Sequence, residues 1–197
     1  MRYYKSHGVA FLIPILIIVG IFYGMLVWDV VAAFTSWHGL QPTWKFVGFN
    51  NFSRLFELNR FWINIRNNLL WLVFFIVPTA LGGFILAYLL SNLGKAENVF
   101  WKFFLFPMAL SFVVTGTLWA WMYDPSSGVI NTILRGIGIN TANLGWIADP
   151  KIAIYCMILS AFWQYLGFSL VLYLGAIKGL PLEMIESAKV DGASRFK

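Results

Sequence analysis

The sequence predicts an all-α, polytopic transmembrane helix bundle, and three observations carry that expectation. Sixty per cent of the 197 residues are hydrophobic and only 11% are charged, whereas a soluble domain carries about 25% charged residues to face water. Four stretches are apolar over the ~20 residues that a helix rising 1.5 Å per residue needs to cross a ~30 Å hydrocarbon core. Aromatic residues make up 19% of the chain and crowd the connection after the first stretch, where Trp and Tyr can set an apolar ring and a polar edge at the membrane surface.

The elements follow in chain order. Residues 1–7 form a basic terminus, and the first span covers 8–33. A cleaved leader has an apolar stretch of about 7–15 residues. The run over 9–28 is longer, so it reads as a retained helix. The outer connection, 34–66, holds Trp37, Trp44, Phe49, Phe52, Phe56 and Trp62. Asn50 is expected there to cap a short helix whose Phe52, Leu55 and Phe56 share one face and lie in the membrane interface. The second span covers 69–90, the cytoplasmic loop 91–102, the third span 103–123 and the second outer loop 124–151. That loop is bracketed by Asp124-Pro125 and Asp149-Pro150 and is expected to form a short helix around 129–135. The fourth span covers 152–177, and 178–197 follows it on the cytoplasmic side. Pro14, Pro78, Pro107, Gly82, Gly83 and Gly167 lie inside spans, as a bundle tolerates when neighbouring helices re-satisfy the backbone.

Lysine and arginine give the orientation. With the N-terminus inside, the cytoplasmic pieces carry Arg2, Lys5, Lys95, Lys102, Lys178, Lys189, Arg195 and Lys197. The longer outer loops carry Lys45, Arg54, Arg60, Arg66, Arg135 and Lys151. That bias follows the positive-inside rule. The net charge of +6 is scattered between apolar runs, so it suits anionic lipid headgroups rather than nucleic acid.

Catalytic chemistry is poorly supplied. Phosphate-binding GxxxxGK[ST], HExxH, CxxC and GxSxG patterns are absent, and His7 and His38 lie outside the spans. Asp29 is the acidic residue within a span, near its outer end. Cys156 is the single cysteine, which excludes an intrachain disulfide and a cysteine metal cluster. No metal or cofactor site is expected in this chain.

Two segments carry functional signals. Gln164 lies in the middle of the fourth span, and Ala161, Gln164, Tyr165 and Phe168 recur at i, i+3, i+4 and i+7 on one face. An amide between aromatic rings suits the path of a sugar or another uncharged polar solute. The same amide could instead make an interhelical hydrogen bond, worth about 0.6–2 kcal/mol. The second segment is KGLPLEMIESAKVDGASRFK, after the fourth span. Pro181 is suited to opening a helix, on which Leu182, Ile185 and Ala188 share a face. Asp191-Gly192 is a stop signal, and Ala193 is expected to begin a second short helix. Small residues at Ser187, Ala188, Gly192 and Ala193 allow another protein's backbone to approach closely. An ordinary amphipathic loop helix is the alternative.

Leu180, Pro181, Glu183, Glu186, Ala188, Asp191, Gly192 and Ala193 match L-P-x-E-L-x-E-A-A-x-x-D-G-A, so this segment resembles the EAA loop of binding-protein-dependent ABC importer permeases. Ser187 stands where the family usually has alanine. VGFNNFSRLFELNRFW and FPMALSFVVTGTLWAWMYDPSSGVIN are similar to segments of the sugar-importer subgroup, of maltose and glycerol-phosphate type. The resemblance implies a permease subunit in a bacterial or archaeal cell membrane, forming part of a carbohydrate pathway. It implies an ABC ATPase subunit that binds the ATP, a second and different permease chain, and an extracytoplasmic solute-binding protein. Glu186, Ser187, Ala188, Asp191, Gly192 and Ala193 would couple the pathway to the ATPase. The family motif continues beyond Lys197, so the four spans are expected to belong to a six-span core that this chain contains only in part. A non-transporting membrane scaffold is the competing expectation, and a membrane enzyme is a weaker one.

Overall fold

The computed structural model describes residues 4–37, 39, 43–141 and 144–192; for 4–11, Lys95, Leu182 and Lys189 it describes the backbone alone. Among the described residues the regular structure is helical. Three helices are long and apolar enough to cross a membrane: Leu12–Ala33, Asn59–Leu90 and Ala153–Lys178. A fourth crossing is available if the bent pair Glu97–Ala109 and Phe112–Met122 serves as one span. The chain is therefore a polytopic helical membrane protein.

The chain divides into two compact units, Met1–Ile65 and Arg66–Lys197. In the first, α1 (Tyr4–Ala33) includes Pro14, and its side chains over 12–31 are exposed. A helix that is apolar on every side and buries nothing is matched to lipid. Beyond it, Thr35 and Phe46 form an antiparallel bridge. The rings of Trp28, Trp37 and Trp44 meet edge to face at 5.0–5.4 Å.

Helix α2 (Asn50–Glu57) forms, but Asn50 is its first helical residue and not its cap. Phe49 occupies the cap position without a side-chain hydrogen bond. The left-handed Gly48 (φ 55°) turns the chain there, and the Asn50 amide is already satisfied by the Val47 carbonyl. The neighbouring Asn51 does the anchoring: its Nδ2 donates to the carbonyls of Ala33 and Thr35, both at 2.8 Å. The expected apolar face is also divided. Phe52 packs against Phe34 and Phe49, whereas Phe56 meets Phe61 and Trp62.

The helix containing 69–90 starts earlier than that stretch, with α3 (Asn59–Trp71) running through a π-helical turn, Leu72–Ile76, into α4 (Val77–Leu90). The first turns, NRFWINIRNN, are polar, so hydropathy marks only the later part of a longer helix. The π turn comes just before Pro78, whose missing N–H and bulky ring disrupt the preceding ladder.

The stretch 103–123 is not one straight helix. α5 (Glu97–Leu105) passes into a 3₁₀ turn, Phe106–Ala109. Leu110 is extended, and α6 (Phe112–Met122) starts afresh. The two pieces meet at 95°. Pro107 withholds a helical N–H, and Ser111 caps the new helix by accepting from the Val114 amide.

The second outer loop folds α7 (Val129–Gly136) with Asn131 turned inward. Asn131 is buried; it donates to the Asp124 carbonyl and accepts from the Trp146 indole. Val129, Ile133 and Ile137 are exposed. Asp124 accepts hydrogen bonds from the hydroxyls and amides of Ser126 and Ser127, which hold its carboxyl well below the usual carboxylate range.

Helix α8 (Ala153–Lys178) is the axis of the second unit, with α4 and α5 packed on it. Hydrocarbon offers apolar helices no reason to associate, so contact depends on small residues that let backbones meet. Gly83 and Gly167 provide it. A Cβ on Gly83 would lie 2.9 Å from the Leu170 nitrogen, and one on Gly167 would fall on the Phe104 carbonyl and 2.8 Å from the Leu105 Cα. Ala87, Leu90, Leu170 and Leu174 make one buried cluster; Trp119, Tyr123 and Cys156 make another.

Candidate functional site

The bend between α5 and α6 leaves the carbonyl of Leu110 outside any helix ladder. Such a group is expensive to bury without a donor. Gln164 supplies one: its Nε2 lies 3.1 Å from the Leu110 oxygen. The amide in the middle of α8 therefore makes an interhelical hydrogen bond, as one of the two readings of its sequence position has it. Its residue is only 4% exposed.

Gln164 also lines a cavity of about 320 Å³ between α6 and α8, with Ala161, Tyr165, Thr115, Trp119 and Phe112. Tyr165 stacks on Phe112 with ring centroids 6.4 Å apart. Trp119 meets Trp163 on one side and Tyr123 on the other, and Tyr123 in turn meets Trp146. Trp146 is held at φ 44°, a left-handed backbone that a bulky residue rarely adopts; its hydrogen bond to Asn131 and its contact with Tyr123 fix it there. Of the four residues placed on one face of the fourth span, Ala161, Gln164 and Tyr165 share this cavity. Phe168 faces a second one, of about 230 Å³, which also meets Tyr165, Phe75 and Thr79.

Three buried side-chain polar atoms lack a hydrogen-bond partner among the described residues: Thr115 Oγ1, Trp119 Nε1 and Thr79 Oγ1. Each belongs to a residue lining one of these two cavities. Thr115 and Trp119 are 6% and 8% exposed and stand one helical turn apart on α6. An unpaired polar group in such surroundings costs about 1–3 kcal/mol, and all three are buried within residues that line these cavities. No ionised side chain lines the larger cavity. Aromatic faces beside neutral donors and acceptors can hold an uncharged hydroxylated solute by stacking and hydrogen bonding.

At the other end of α8 the chain turns through Gly179, Leu180 and Pro181 into α9 (Leu182–Val190). Pro181 precedes the helix, and its carbonyl accepts from the Met184 and Ile185 amides. Glu186, Ser187 and Ala188 lie on α9. Asp191 closes it, its amide bonded to the Ser187 carbonyl. Gly192 follows at φ 77°, a conformation suited to glycine. The described side chains of α9 are exposed, with Met184 and Val190 the most so among its apolar residues. Ala193, expected to begin a second helix, lies outside the described residues.

Sequence reading did not single out Glu97, Lys178, Thr115 or Trp119. Glu97 is the first residue of α5 and Lys178 the last of α8, and they form an ion pair at 2.6 Å. A lone acid in a basic loop was the available signal for Glu97. Thr115 and Trp119 carried none, because a threonine and a tryptophan one turn apart are ordinary in a membrane helix.

No family model matches the chain. Curated relatives do. The "Probable ABC transporter permease protein" of Pyrococcus horikoshii is 45% identical over 190 residues, covering 96% of this chain and 65% of the relative. The xylose/arabinose import permease protein of Haloferax volcanii is 34% identical over 87% of this chain and 54% of its own length. The diacetylchitobiose uptake system permease protein of Streptomyces coelicolor is 33% identical over 83% and 49%. This chain thus spans between about half and two thirds of the length of these relatives. Among solved structures, a chain of a bacterial alginate ABC transporter, in complex with an alginate pentasaccharide-bound periplasmic protein, superposes with a TM-score of 0.68. The sequence identity is 25%, over 100% of this chain and 67% of that one.

Proposed function

The chain belongs to the family of ABC-transporter permeases, and on that premise we propose that it forms part of the solute pathway of a carbohydrate importer. The observation that carries the solute class is the lining of two uncharged, aromatic-rich cavities, whose walls include the residues that hold the three buried, unpaired polar atoms. The relatives' names, with xylose, arabinose and diacetylchitobiose among them, support the same class.

In this reading the chain sits in the cell membrane of a bacterium or archaeon with its N-terminus inside, and ATP is bound and hydrolysed by a separate ABC ATPase subunit. A second, different permease chain completes the pore, and an extracytoplasmic binding protein delivers the sugar. Helix α9 with the Asp191-Gly192 turn meets the ATPase. Its exposed surface and the small Ser187 and Ala188 suit a socket on another protein. The alginate transporter complex, with its periplasmic protein, supports an assembly of this kind.

The test removes the unpaired atoms: Thr115→Val keeps the side chain's shape, and Trp119→Phe keeps an aromatic ring while giving up part of the indole's volume. Thr115→Val and Trp119→Phe break no hydrogen bond among the described residues, so assembly with the ATPase is expected to remain at the parent level. Each is expected to weaken uptake by about 10-fold, the equivalent of one lost hydrogen bond of about 1.4 kcal/mol. Uptake by the full-length transporter in vesicles is measured with glucose, xylose, lactose and diacetylchitobiose. Rates unchanged in both variants would make these residues packing elements and leave the scaffold alternative in place.

A further inference from the structure

The ion pair between Glu97 and Lys178 sits where the two halves of the proposed machinery join. Lys178 is the final residue of α8, whose middle lines the larger cavity. The short Gly179–Pro181 stalk then leads into α9. The residues of that stalk and the described side chains of α9 are exposed. What directs the base of α9 is therefore the end of α8, and the charged partner at that end is Glu97 on α5. Helix α5 leads through the bend at Leu110 into α6, which carries Thr115 and Trp119. One ion pair thus ties the end of α8, one wall of the cavity, to α5, which continues through the bend into α6, the other wall.

The burial is lopsided: the Glu97 side chain is 7% exposed and the Lys178 side chain 54%. Each charge suits its helix end, the acid at an N-terminus and the base at a C-terminus. Yet a pair with one buried member gains little net stability, because desolvation offsets the attraction. A buried carboxylate on a short side chain does fix position. If the lysine leaves, the carboxylate is stranded, so α8 cannot tilt away from α5 at this end without a cost.

We propose that Glu97 and Lys178 are positioning residues that clamp the inner ends of α5 and α8, so that a displacement of α9 moves both walls of the cavity together. This inference rests on the reading of α9 as the ATPase contact. Without the clamp, motion delivered to α9 is absorbed at the Gly179–Pro181 stalk.

The experiment reads the cavity from its far end. In the full-length transporter with its ATPase, Cys156 is replaced by alanine, any cysteine elsewhere in the assembly by serine, and Ala161 by cysteine. The rate of maleimide labelling at 161 is measured with and without a non-hydrolysable ATP analogue. The parent is expected to change its rate by at least about 5-fold, within the usual range of coupling between sites. Glu97→Gln, and Glu97→Gln combined with Lys178→Met, remove the pair without stranding a buried charge. Both are expected to co-purify with the ATPase at the parent level, yet to lose most of the nucleotide effect. Lys178→Arg keeps the pair and is expected to stay within about twofold of the parent response.

A nucleotide response that survives in the neutral variants overturns the clamp and leaves the α9 reading intact. So does failure of both neutral variants to assemble, which would make the pair a folding element. A parent that shows no response, together with Glu186→Ala that still co-purifies with the ATPase at the parent level, sinks the α9 reading and the clamp with it.

Discussion

Gly167 and Gly192 are required for different reasons, and substitution separates them. At Gly167 the backbone conformation is ordinary, but a methyl group would run into the main chain of Phe104 and Leu105. The helices must part to admit it, and forced overpacking of this kind costs about 1–3 kcal/mol or more. At Gly192 nothing lies within 4 Å of the added Cβ, but φ is 77°. Alanine there costs about 1–2 kcal/mol of left-handed strain, confined to an exposed turn. Gly167→Ala is expected to lower the thermal unfolding midpoint of the detergent-purified protein clearly. Gly192→Ala is expected to lower that midpoint less, because the exposed turn can relax its strain locally, and to weaken co-purification with the ATPase. Equal melting of the two variants would contradict the close approach of α5 and α8.

At the scale of elements, the bend between α5 and α6 decides the site. A straight helix over 103–123 would leave no free Leu110 carbonyl and no reason for an amide in the middle of α8. Gln164→Leu keeps the volume but removes the donor, leaving that carbonyl unpaired at a cost of about 1–3 kcal/mol. Loss of thermal stability is therefore expected even where no sugar is present. An unaltered midpoint would mean that Leu110 finds another donor and that Gln164 serves the cavity alone.

The elements also show what could be read from the sequence. Apolar length marked α1 and α8 well, because a spanning helix must be apolar over a set distance. It missed the start of α3, whose polar turns extend beyond the apolar run. It missed the break in the third apolar stretch as well: Pro107 was visible, but proline inside a membrane helix is often accommodated, and only the packing of α8 against Phe104 decides otherwise. Asn50 had the composition of a cap, yet backbone carbonyls reached the first amides before its side chain did. The face formed by Ala161, Gln164, Tyr165 and Phe168 followed from helical spacing, while its division between two cavities depended on where α6 stands. Glu97 and Lys178 are 81 positions apart, and nothing local announces their meeting.

For the whole molecule, the proposed function joins the cavity between α6 and α8 to α9 through the length of α8. The most direct test asks whether solute occupies the cavity. The full-length transporter carries Cys156→Ala and Ala161→Cys, and maleimide labelling at 161 is followed with its binding protein and saturating transported sugar. The account predicts that sugar slows labelling by at least about 5-fold, with no slowing by a sugar that is not transported. Labelling at the same rate with and without the transported sugar would contradict the central claim, because the cavity would then lie off the solute path.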